Sequence, residues 1–133
     1  MLTYIEAVSP TIKTVEINEI QSQNGYEVTM NKIEFAEDET RLYITVKNNG
    51  NSVFHLYKFN IVILQDENQF NYQASFDSNY PELNEYLYVG AKTEGIIILP
   101  NMEIADLKII AKGTSDNYNE KFQDFVWNVT IAE

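Results

Sequence analysis

The sequence predicts an all-β domain, a sandwich of two antiparallel sheets with about eight strands. Three observations lead to this prediction. Short segments alternate apolar and polar residues, turn residues separate these segments at near-regular intervals, and no segment shows a long helical period. The alternation is clearest in residues 41–47, where Leu42, Ile44 and Val46 share one side. The opposite side of this predicted strand carries Arg41, Tyr43, Thr45 and Lys47.

The first predicted strand comprises residues 11–20 and places Val15 and Ile17 on one face. Residues 21–25 follow as a polar turn that ends in Asn-Gly. An acidic turn, residues 36–40, leads into the strand at 41–47.

The second predicted strand, residues 26–35, contains an irregularity. Its apolar residues occupy even positions first and odd positions later, namely Val28, Met30, Ile33 and Phe35. Because side chains alternate between the two faces of a strand, one extra residue is needed to keep all four on the same face. We therefore predict a β-bulge near Asn31 and Lys32.

The tripeptide Asn48-Asn49-Gly50 is predicted to form a tight hairpin turn after the third strand, since Asn-Gly favours the positive φ angles of such turns. Residues 52–58 are then a connection, residues 59–64 an apolar central strand, and residues 65–68 a turn. Residues 69–76 are predicted to return antiparallel to that strand.

The last third of the chain is predicted to begin with an irregular stretch, residues 77–89, in which residues 81–86 form one helical turn. Three further strands are predicted at residues 96–99 (before Pro100), 107–111 and 122–131. Residues 112–119 are predicted to form the loop between the last two of them. Phe125, Trp127, Val129 and Ile131 share a face of the final strand. The shared core is predicted to bring together Ile44, Ile63, Ile98 and Trp127.

The composition limits the possible partners. The 133 residues suffice for one domain with a core, and 44% of them are hydrophobic. The 20 acidic residues exceed the 9 Lys and Arg residues and give a net charge of -11, which repels nucleic-acid backbones and anionic lipid surfaces. With no cysteine, the chain has no disulfide, no thiolate nucleophile and no Cys-ligated zinc.

The sequence contains no apolar run long enough for a membrane span, and its start lacks the basic region and apolar run of a signal peptide. From this we expect either an intracellular protein or a chain from which a leader or anchor has been removed. Residues 1–10 are predicted to form an N-terminal arm or linker, since Ser9-Pro10 breaks regular structure.

The sequence gives no support for an enzyme or for a cofactor. The one histidine, His55, has no Cys partner and no nucleophile elbow, so we expect a packed or surface residue rather than a base. The chain also lacks a glycine-rich phosphate loop. A glycosidase would need paired carboxylates, but the neighbouring acids lie in predicted turns and are expected to be solvated surface charges: Asp66 with Glu67, and Glu82 with Glu85.

One loop offers oxygen ligands of the kind that calcium prefers. Its candidate ligands are Asp116, Asn117, Asn119 and Glu120. The spacing is not that of an EF-hand, and Asp and Asn are also ordinary turn residues. The calcium site and the plain turn are both open at this point.

The segment of residues 59–91 is acidic and aromatic and contains no Lys or Arg. Aromatic side chains beside polar groups form binding patches for sugars or proteins. Phe59, Phe70 and Phe76 are expected to fill the core, whereas the tyrosines of the irregular stretch are expected to be exposed. The predicted partner surface comprises Asp66, Glu67, Tyr80, Tyr86 and Tyr88.

Three stretches resemble the immunoglobulin-like (telokin-like) domains of unknown function in Gram-positive lipoproteins and membrane-anchored surface proteins. They are residues 46–50 (Val-Lys-Asn-Asn-Gly), residues 65–70 (Gln-Asp-Glu-Asn-Gln-Phe) and residues 90–100 (Gly-Ala-Lys-Thr-Glu-Gly-Ile-Ile-Ile-Leu-Pro). The likeness covers residues 26–131. Residues 11–20 and 115–118 also resemble the C-terminal ectodomains of Bacillus-type membrane proteins, in which residues 1–10 would be the tether.

The resemblance implies that residues 11–133 form a single immunoglobulin-like β-sandwich domain, extracellular and associated with the cell envelope. It implies a non-catalytic interaction or spacer domain that binds a protein or a cell-wall component, as a monomer or weak homodimer. Contact with the membrane would require an anchor outside this chain, and nucleic acid is not an expected partner. Two alternatives are a carbohydrate- or wall-binding module using Tyr80, Tyr86 and Tyr88, and an acidic intracellular or phage-encoded inhibitor that mimics nucleic acid.

Overall fold

The computed structural model describes residues 9–73 and 80–131. Within these ranges the chain forms nine β-strands and no helix, and hence no helix long and apolar enough to cross a membrane. The strands are β1 (Thr11–Gln23), β2 (Tyr26–Ala36), β3 (Glu39–Asn48), β4 (Phe54–Gln65), β5 (Asn68–Asn71), β6 (Tyr86–Leu87), β7 (Lys92–Pro100), β8 (Leu107–Ser115) and β9 (Phe125–Val129).

The strands form two antiparallel sheets, as predicted. The first sheet has the order β1-β2-β3-β7, and the second has the order β5-β4-β8-β9, with the short strand β6 also paired to β4. The inner faces of both sheets contribute to one cluster of buried hydrophobic residues, which is the arrangement of a β-sandwich. The ninth strand, absent from the prediction, is β6, which lies in the stretch predicted to be irregular.

The predicted core is confirmed except at one position. Ile44, Ile63 and Trp127 all belong to the buried cluster, but Ile98 does not. Ile98 pairs with Arg41 on the outer side of the first sheet, while Ile97 pairs with Leu42 and faces inward. A run of apolar residues hides the two-residue period, so the facing of Ile98 could not be read from its own segment.

The predicted bulge in β2 is confirmed. The register of β2 against β3 shifts between Met30 and Lys32, which pair with Ile44 and Tyr43. Asn31 is the extra residue, and its side-chain amide donates a 2.8 Å hydrogen bond to the Thr45 hydroxyl. The bulge keeps the apolar residues before and after it on the core side.

The predicted hairpin at Asn48-Asn49-Gly50 is wrong, because the chain passes there from β3 in one sheet to β4 in the other. Neither Asn49 nor Gly50 has a positive φ. The Asn48 amide instead donates to the carbonyls of Ser52 and Leu87 and directs the chain across the sandwich. Asn24 and Gly25 of the β1–β2 turn are among the described residues that do have positive φ angles.

Other segment boundaries also need correction. The predicted connection at residues 52–58 mostly belongs to β4, and residues 112–115 of the predicted loop belong to β8. Residues 81–86 contain no helical turn. Phe59 was expected in the core but is 66% exposed. Phe76 and residues 1–8 lie outside the described residues, so the predictions made for them have no counterpart here.

Candidate functional site

A row of aromatic side chains lies on the outer face of the second sheet. We call it the aromatic ladder, and its members are His55, Tyr57 and Phe59 of β4 and Tyr86 of β6. The centroids of Tyr57 and Phe59 are 5.3 Å apart, and those of His55 and Tyr57 are 5.9 Å apart. Tyr86 meets the His55 ring edge to face at 4.3 Å. These contacts join all four rings into one continuous cluster.

An irregularity in β4 produces this row. Leu56 pairs with Gly113 of β8 and Ile61 pairs with Ala111, so residues 57–60 of β4 lie opposite the single residue Lys112. The extra residues push this part of the strand out of the regular ladder of hydrogen bonds. Leu56 and Ile61 stay buried on either side, and Phe59 projects outward.

The ladder is buried at one end and open at the other. His55 is 6% exposed, whereas Phe59 is 66% and Tyr86 58% exposed. The planes of His55, Tyr57 and Phe59 are nearly parallel, with angles of 10° between neighbours. Parallel rings at these separations form an offset stack, and Phe59 is the last ring of that stack. An exposed aromatic surface of this kind is where a partner gains most from removing apolar area from water.

Lys58 lies between Tyr57 and Phe59 in the chain and contacts groups outside the ladder. Its Nζ lies 2.8 Å from Glu82 Oε1 and 5.0 Å from the centroid of the Tyr72 ring, and its backbone N–H donates a 2.6 Å hydrogen bond to Glu85 Oε2. The hydrogen bond to Glu82 raises the pKa of Lys58 despite the opposing effect of burial. The same contact lowers the pKa of Glu82. Lys58 therefore contacts two carboxylates, Glu82 through its ammonium group and Glu85 through its backbone N–H.

His55 is held by its neighbours. Its Nε2 lies 2.7 Å from Asp116 Oδ1, and its Nδ1 lies 3.5 Å from the Tyr57 hydroxyl. The Asp116 contact ties the β8–β9 loop to β4. His55 thus has a packing and positioning role at the closed end of the ladder.

The four candidate calcium ligands point to different partners. Asp116 contacts His55, and Asn117 Oδ1 accepts a 3.0 Å hydrogen bond from the backbone N–H of Asn119. Glu120 accepts a 2.7 Å hydrogen bond from the Tyr26 hydroxyl and another from Ser115. Within the described ranges, no three His, Cys, Asp or Glu side chains come close enough together to hold a metal ion.

The five predicted partner residues lie at separate places. Asp66 and Glu67 form the β4–β5 turn, at the opposite end of β4 from His55. Tyr86 belongs to the aromatic ladder, and Tyr88 is exposed just beyond it in the chain. Tyr80 contacts the other sheet instead, through a 2.8 Å hydrogen bond from its hydroxyl to Glu39.

Tyr80 is part of a polar network centred on Arg41, on the outer side of the first sheet. Arg41 is only 2% exposed. Its guanidinium donates to Glu34 at 2.9 Å, to Glu39 at 2.6 Å, to the Thr11 hydroxyl at 2.6 Å and to the Ser9 carbonyl at 3.1 Å. We call this set the Arg41 network, and it fastens the start of β1 to β2 and β3.

Hydrogen bonds within and next to the Arg41 network shift the pKa values of Glu34 and Tyr43. Burial would raise the pKa of Glu34, but the hydrogen bonds from Arg41 and Tyr43 outweigh it and lower the value. Burial and the hydrogen bond to Glu34 raise the pKa of Tyr43 to about 12. These shifts indicate a network that favours charged Glu34 and neutral Tyr43. Its groups satisfy one another, which is the behaviour of a structural cluster.

The sequence contains a signal for the ladder that the prediction of the partner surface did not use. Ring side chains stand at positions 55, 57 and 59, with the two-residue period of a strand face. The contribution of Tyr86 comes from a different segment, and only the pairing of His55 with Tyr86 brings it there.

No protein-family model and no curated protein match the chain. Several solved structures resemble it, among them the following two. A functionally unknown protein from Listeria monocytogenes EGD-e has a TM-score of 0.71 and 13% identity, with 98% of this chain and 94% of that chain covered. A "putative lipoprotein (ycdA)" from Bacillus subtilis has a TM-score of 0.66 and 11% identity, with 86% of this chain covered. The match spans 39% of the Bacillus chain, and at these identities it shows a shared fold.

Proposed function

We propose that this chain is a non-catalytic, extracytoplasmic interaction domain of a Gram-positive cell-envelope protein. The observation that carries the proposal is the aromatic ladder, a cluster of four contacting rings on the second sheet in which Phe59 and Tyr86 are exposed. Support for the location comes from the structural neighbours, since the Bacillus subtilis structure is described as that of a "putative lipoprotein". The net charge of -11 fits a domain that does not adsorb to anionic polymers or lipids.

The strand order supports the immunoglobulin-like (telokin-like) assignment within this proposal. From β2 onward, β2-β3-β7 correspond to strands A, B and E of an immunoglobulin-type sandwich. In the second sheet, β5-β4-β8-β9 correspond to C′, C, F and G. β1 is an additional strand outside A. A fold of this kind carries no chemistry by itself, so the function rests on the exposed surface.

The ladder suits binding better than catalysis. Catalysis by a histidine needs a nucleophile or substrate within hydrogen-bond reach of a free ring nitrogen. Both His55 nitrogens already face protein groups, Asp116 and the Tyr57 hydroxyl. The exposed rings Phe59 and Tyr86, by contrast, have large surfaces that face solvent. A partner that covers them gains apolar burial without any rearrangement of the sheet.

The proposal can be tested by cosedimentation of the purified domain with isolated envelopes from Bacillus subtilis. We expect the domain to sediment with envelopes and the double variant Phe59→Ala, Tyr86→Ala to stay in solution. Tyr118→Ala is the matched control, because Tyr118 is 93% exposed and lies outside the ladder. Failure of the unaltered domain to sediment, or equal sedimentation of the double variant, would contradict the proposal.

A further inference from the structure

We propose that the domain forms a weak homodimer in which the β1 strands of two copies pair antiparallel, edge to edge, with Glu16 on the two-fold axis. The pairing joins the first sheets of the two copies into one continuous sheet. It uses the first sheet and is independent of the aromatic ladder, which lies on the second. Three observations lead to it: the length of the β1 edge, two exposed isoleucines on that edge, and a nearly palindromic order of residues along it.

β1 is the longest edge strand among the described strands. It has 13 residues, and within its sheet it pairs with β2 alone. β7, at the other edge of that sheet, is covered in part. The Ile96 N–H donates to the Pro81 carbonyl at 3.0 Å, and the Ile98 carbonyl accepts a 2.9 Å hydrogen bond from residue 73. The edge strands of the second sheet, β5 and β9, have only 4 and 5 residues. A long row of edge N–H and C=O groups is a template for pairing with another strand.

The apolar side chains of β1 are placed symmetrically about Glu16. Val15 and Ile17, the residues on either side of it, pack against the core cluster. Ile12 and Ile20 each lie four positions away from Glu16, and they are 62% and 60% exposed. Exposed apolar side chains on an edge strand gain burial when a second strand is added beside them.

A two-fold axis at Glu16 sets each residue of β1 against a complementary residue of the second copy. Two identical antiparallel strands at a shared edge are related by such an axis, so residues equally far from it face each other and every pair occurs twice. Apolar residues then face apolar ones, an ammonium faces a carboxylate, and polar residues face each other. The pairs are Ile12 with Ile20, Lys13 with Glu19, Thr14 with Asn18, and Val15 with Ile17. This complementarity fits a second copy of the same chain.

The neighbouring registers lose this match. With Val15 on the axis, Lys13 would face an isoleucine and Ile12 an asparagine. With Ile17 on the axis, Lys13 would face a glutamine and Ile20 a threonine. Both shifts separate the apolar pairs and the opposite charges, so the order of residues in β1 favours the register centred on Glu16.

Two features keep the dimer weak. Glu16 faces Glu16 of the second copy, and like charges directly opposite each other destabilise a sheet. In addition, β1 has a register shift between Glu16 and Glu19, and Asn18 has a φ of 50°. This bulge interrupts the regular row of edge groups, and the Glu19 carbonyl already accepts the indole N–H of Trp127. Dimerisation is therefore expected to depend on protein concentration.

Cysteine trapping tests the register. The chain contains no cysteine, so Glu16→Cys introduces a single thiol that faces its own copy across the axis. Cβ atoms of opposite residues lie about 4.5–5.5 Å apart in antiparallel pairs, which a small adjustment brings to disulfide distance. Thr14→Cys is the matched control on the same strand, because position 14 faces position 18 and not itself. On mild oxidation, Glu16→Cys should give a covalent dimer and Thr14→Cys should stay monomeric.

Sedimentation equilibrium over a range of concentrations tests the charge pattern. Lys13→Glu sets like charges opposite each other twice and should weaken dimerisation about tenfold or more. Adding Glu19→Lys to it restores opposite charges and should recover dimerisation. Glu16→Gln removes the repulsion on the axis and should strengthen dimerisation about threefold. The double variant Phe59→Ala, Tyr86→Ala should dimerise like the unaltered domain, which separates this inference from the role of the ladder.

The inference is overturned if the domain stays monomeric up to about 1 mM, if Glu16→Cys and Thr14→Cys cross-link equally, or if Lys13→Glu leaves dimerisation unchanged. A monomeric domain whose β1 amides become protected from hydrogen exchange only when envelopes are added would also overturn it, because the edge would then bind a different partner. Thermal melting of each variant confirms that it is folded.

Discussion

The indole N–H of Trp127 donates a 3.0 Å hydrogen bond to the backbone carbonyl of Glu19, and this bond connects β9 of one sheet to β1 of the other. The Trp127 side chain is otherwise fully buried in the hydrophobic cluster. β1 is an edge strand with a register shift between Glu16 and Glu19. The hydrogen bond thus fixes an irregular edge to the core side chain beneath it.

Trp127→Phe should destabilise the domain by about 2 kcal/mol, because it removes this hydrogen bond and leaves unfilled volume in the core. Urea denaturation followed by circular dichroism measures the free energy of unfolding. Tyr118→Phe is the control, and its effect should stay within about 0.5 kcal/mol because Tyr118 is exposed. Equal stabilities of the two variants would refute the role given to Trp127.

Arg41→Met should destabilise the domain by about 3 kcal/mol or more, because Glu34 and Glu39 would lose their buried counter-charge. The control Lys32→Met removes a contact to the same carboxylate, at 3.6 Å and with Lys32 partly exposed. That change should cost less than about 1 kcal/mol. Chemical denaturation of both variants at pH 7 compares them, and a similar cost for the two would show that the Arg41 network adds little to stability.

The raised pKa of Tyr43 predicts that the domain loses stability at alkaline pH. Its pKa rises from 10.0 to about 12 in the folded protein, owing to burial and to the hydrogen bond that it donates to Glu34. A raised folded-state pKa means that the neutral phenol stabilises the fold below pH 10 and that this stabilisation is lost as the pH rises towards 12. Tyr43→Phe should have a shallower decline in denaturation midpoint over this interval.

Part of the alkaline decline will remain in Tyr43→Phe, because burial and carboxylate contacts also raise the pKa values of Tyr26 and Tyr80. The comparison is therefore made between slopes and not between single values. Identical slopes for the variant and the unaltered protein between pH 10 and pH 12 would contradict the assignment.

Gly50→Ala should cost about 1–3 kcal/mol, because an added Cβ would lie 2.4 Å from Cε1 of the buried Tyr26 ring. Gly90→Ala is a useful comparison. Gly90 has a φ of +89°, and a methyl group added there would meet no other atom within 4 Å, so only backbone strain of about 1–2 kcal/mol is expected. Combining Gly50→Ala with Tyr26→Phe should not relieve the clash, since the ring remains, whereas Tyr26→Leu should relieve part of it.

The sequence predicted those parts of the fold that depend on short-range patterns. The parity change between Met30 and Ile33 was enough to place the bulge at Asn31. The Asn49-Gly50 pair resembled a hairpin turn, but the contacts of Asn48 with Ser52 and Leu87 decide the path of the chain there. Tertiary contacts of this kind leave no trace in the neighbouring sequence.

The candidate site was only partly predictable for the same reason. The alternating rings at His55, Tyr57 and Phe59 are visible in the sequence, but their exposure depends on the irregular register of β4 against β8. Arg41 was placed on the correct side of its strand, yet its burial depends on Ser9 and Tyr80, which lie far from it in the sequence. When residues distant in the sequence bury a polar side chain, no periodic pattern in the sequence reveals it.

The position of Trp127 has a practical consequence for spectroscopy. It is the single tryptophan of the chain and lies between the two sheets, whereas the ladder carries none. Its fluorescence will therefore follow the separation of the sheets during unfolding and stay nearly silent when a ligand covers the outer face. Folding and binding can thus be recorded on the same sample through separate optical channels, tryptophan emission for one and tyrosine absorbance for the other.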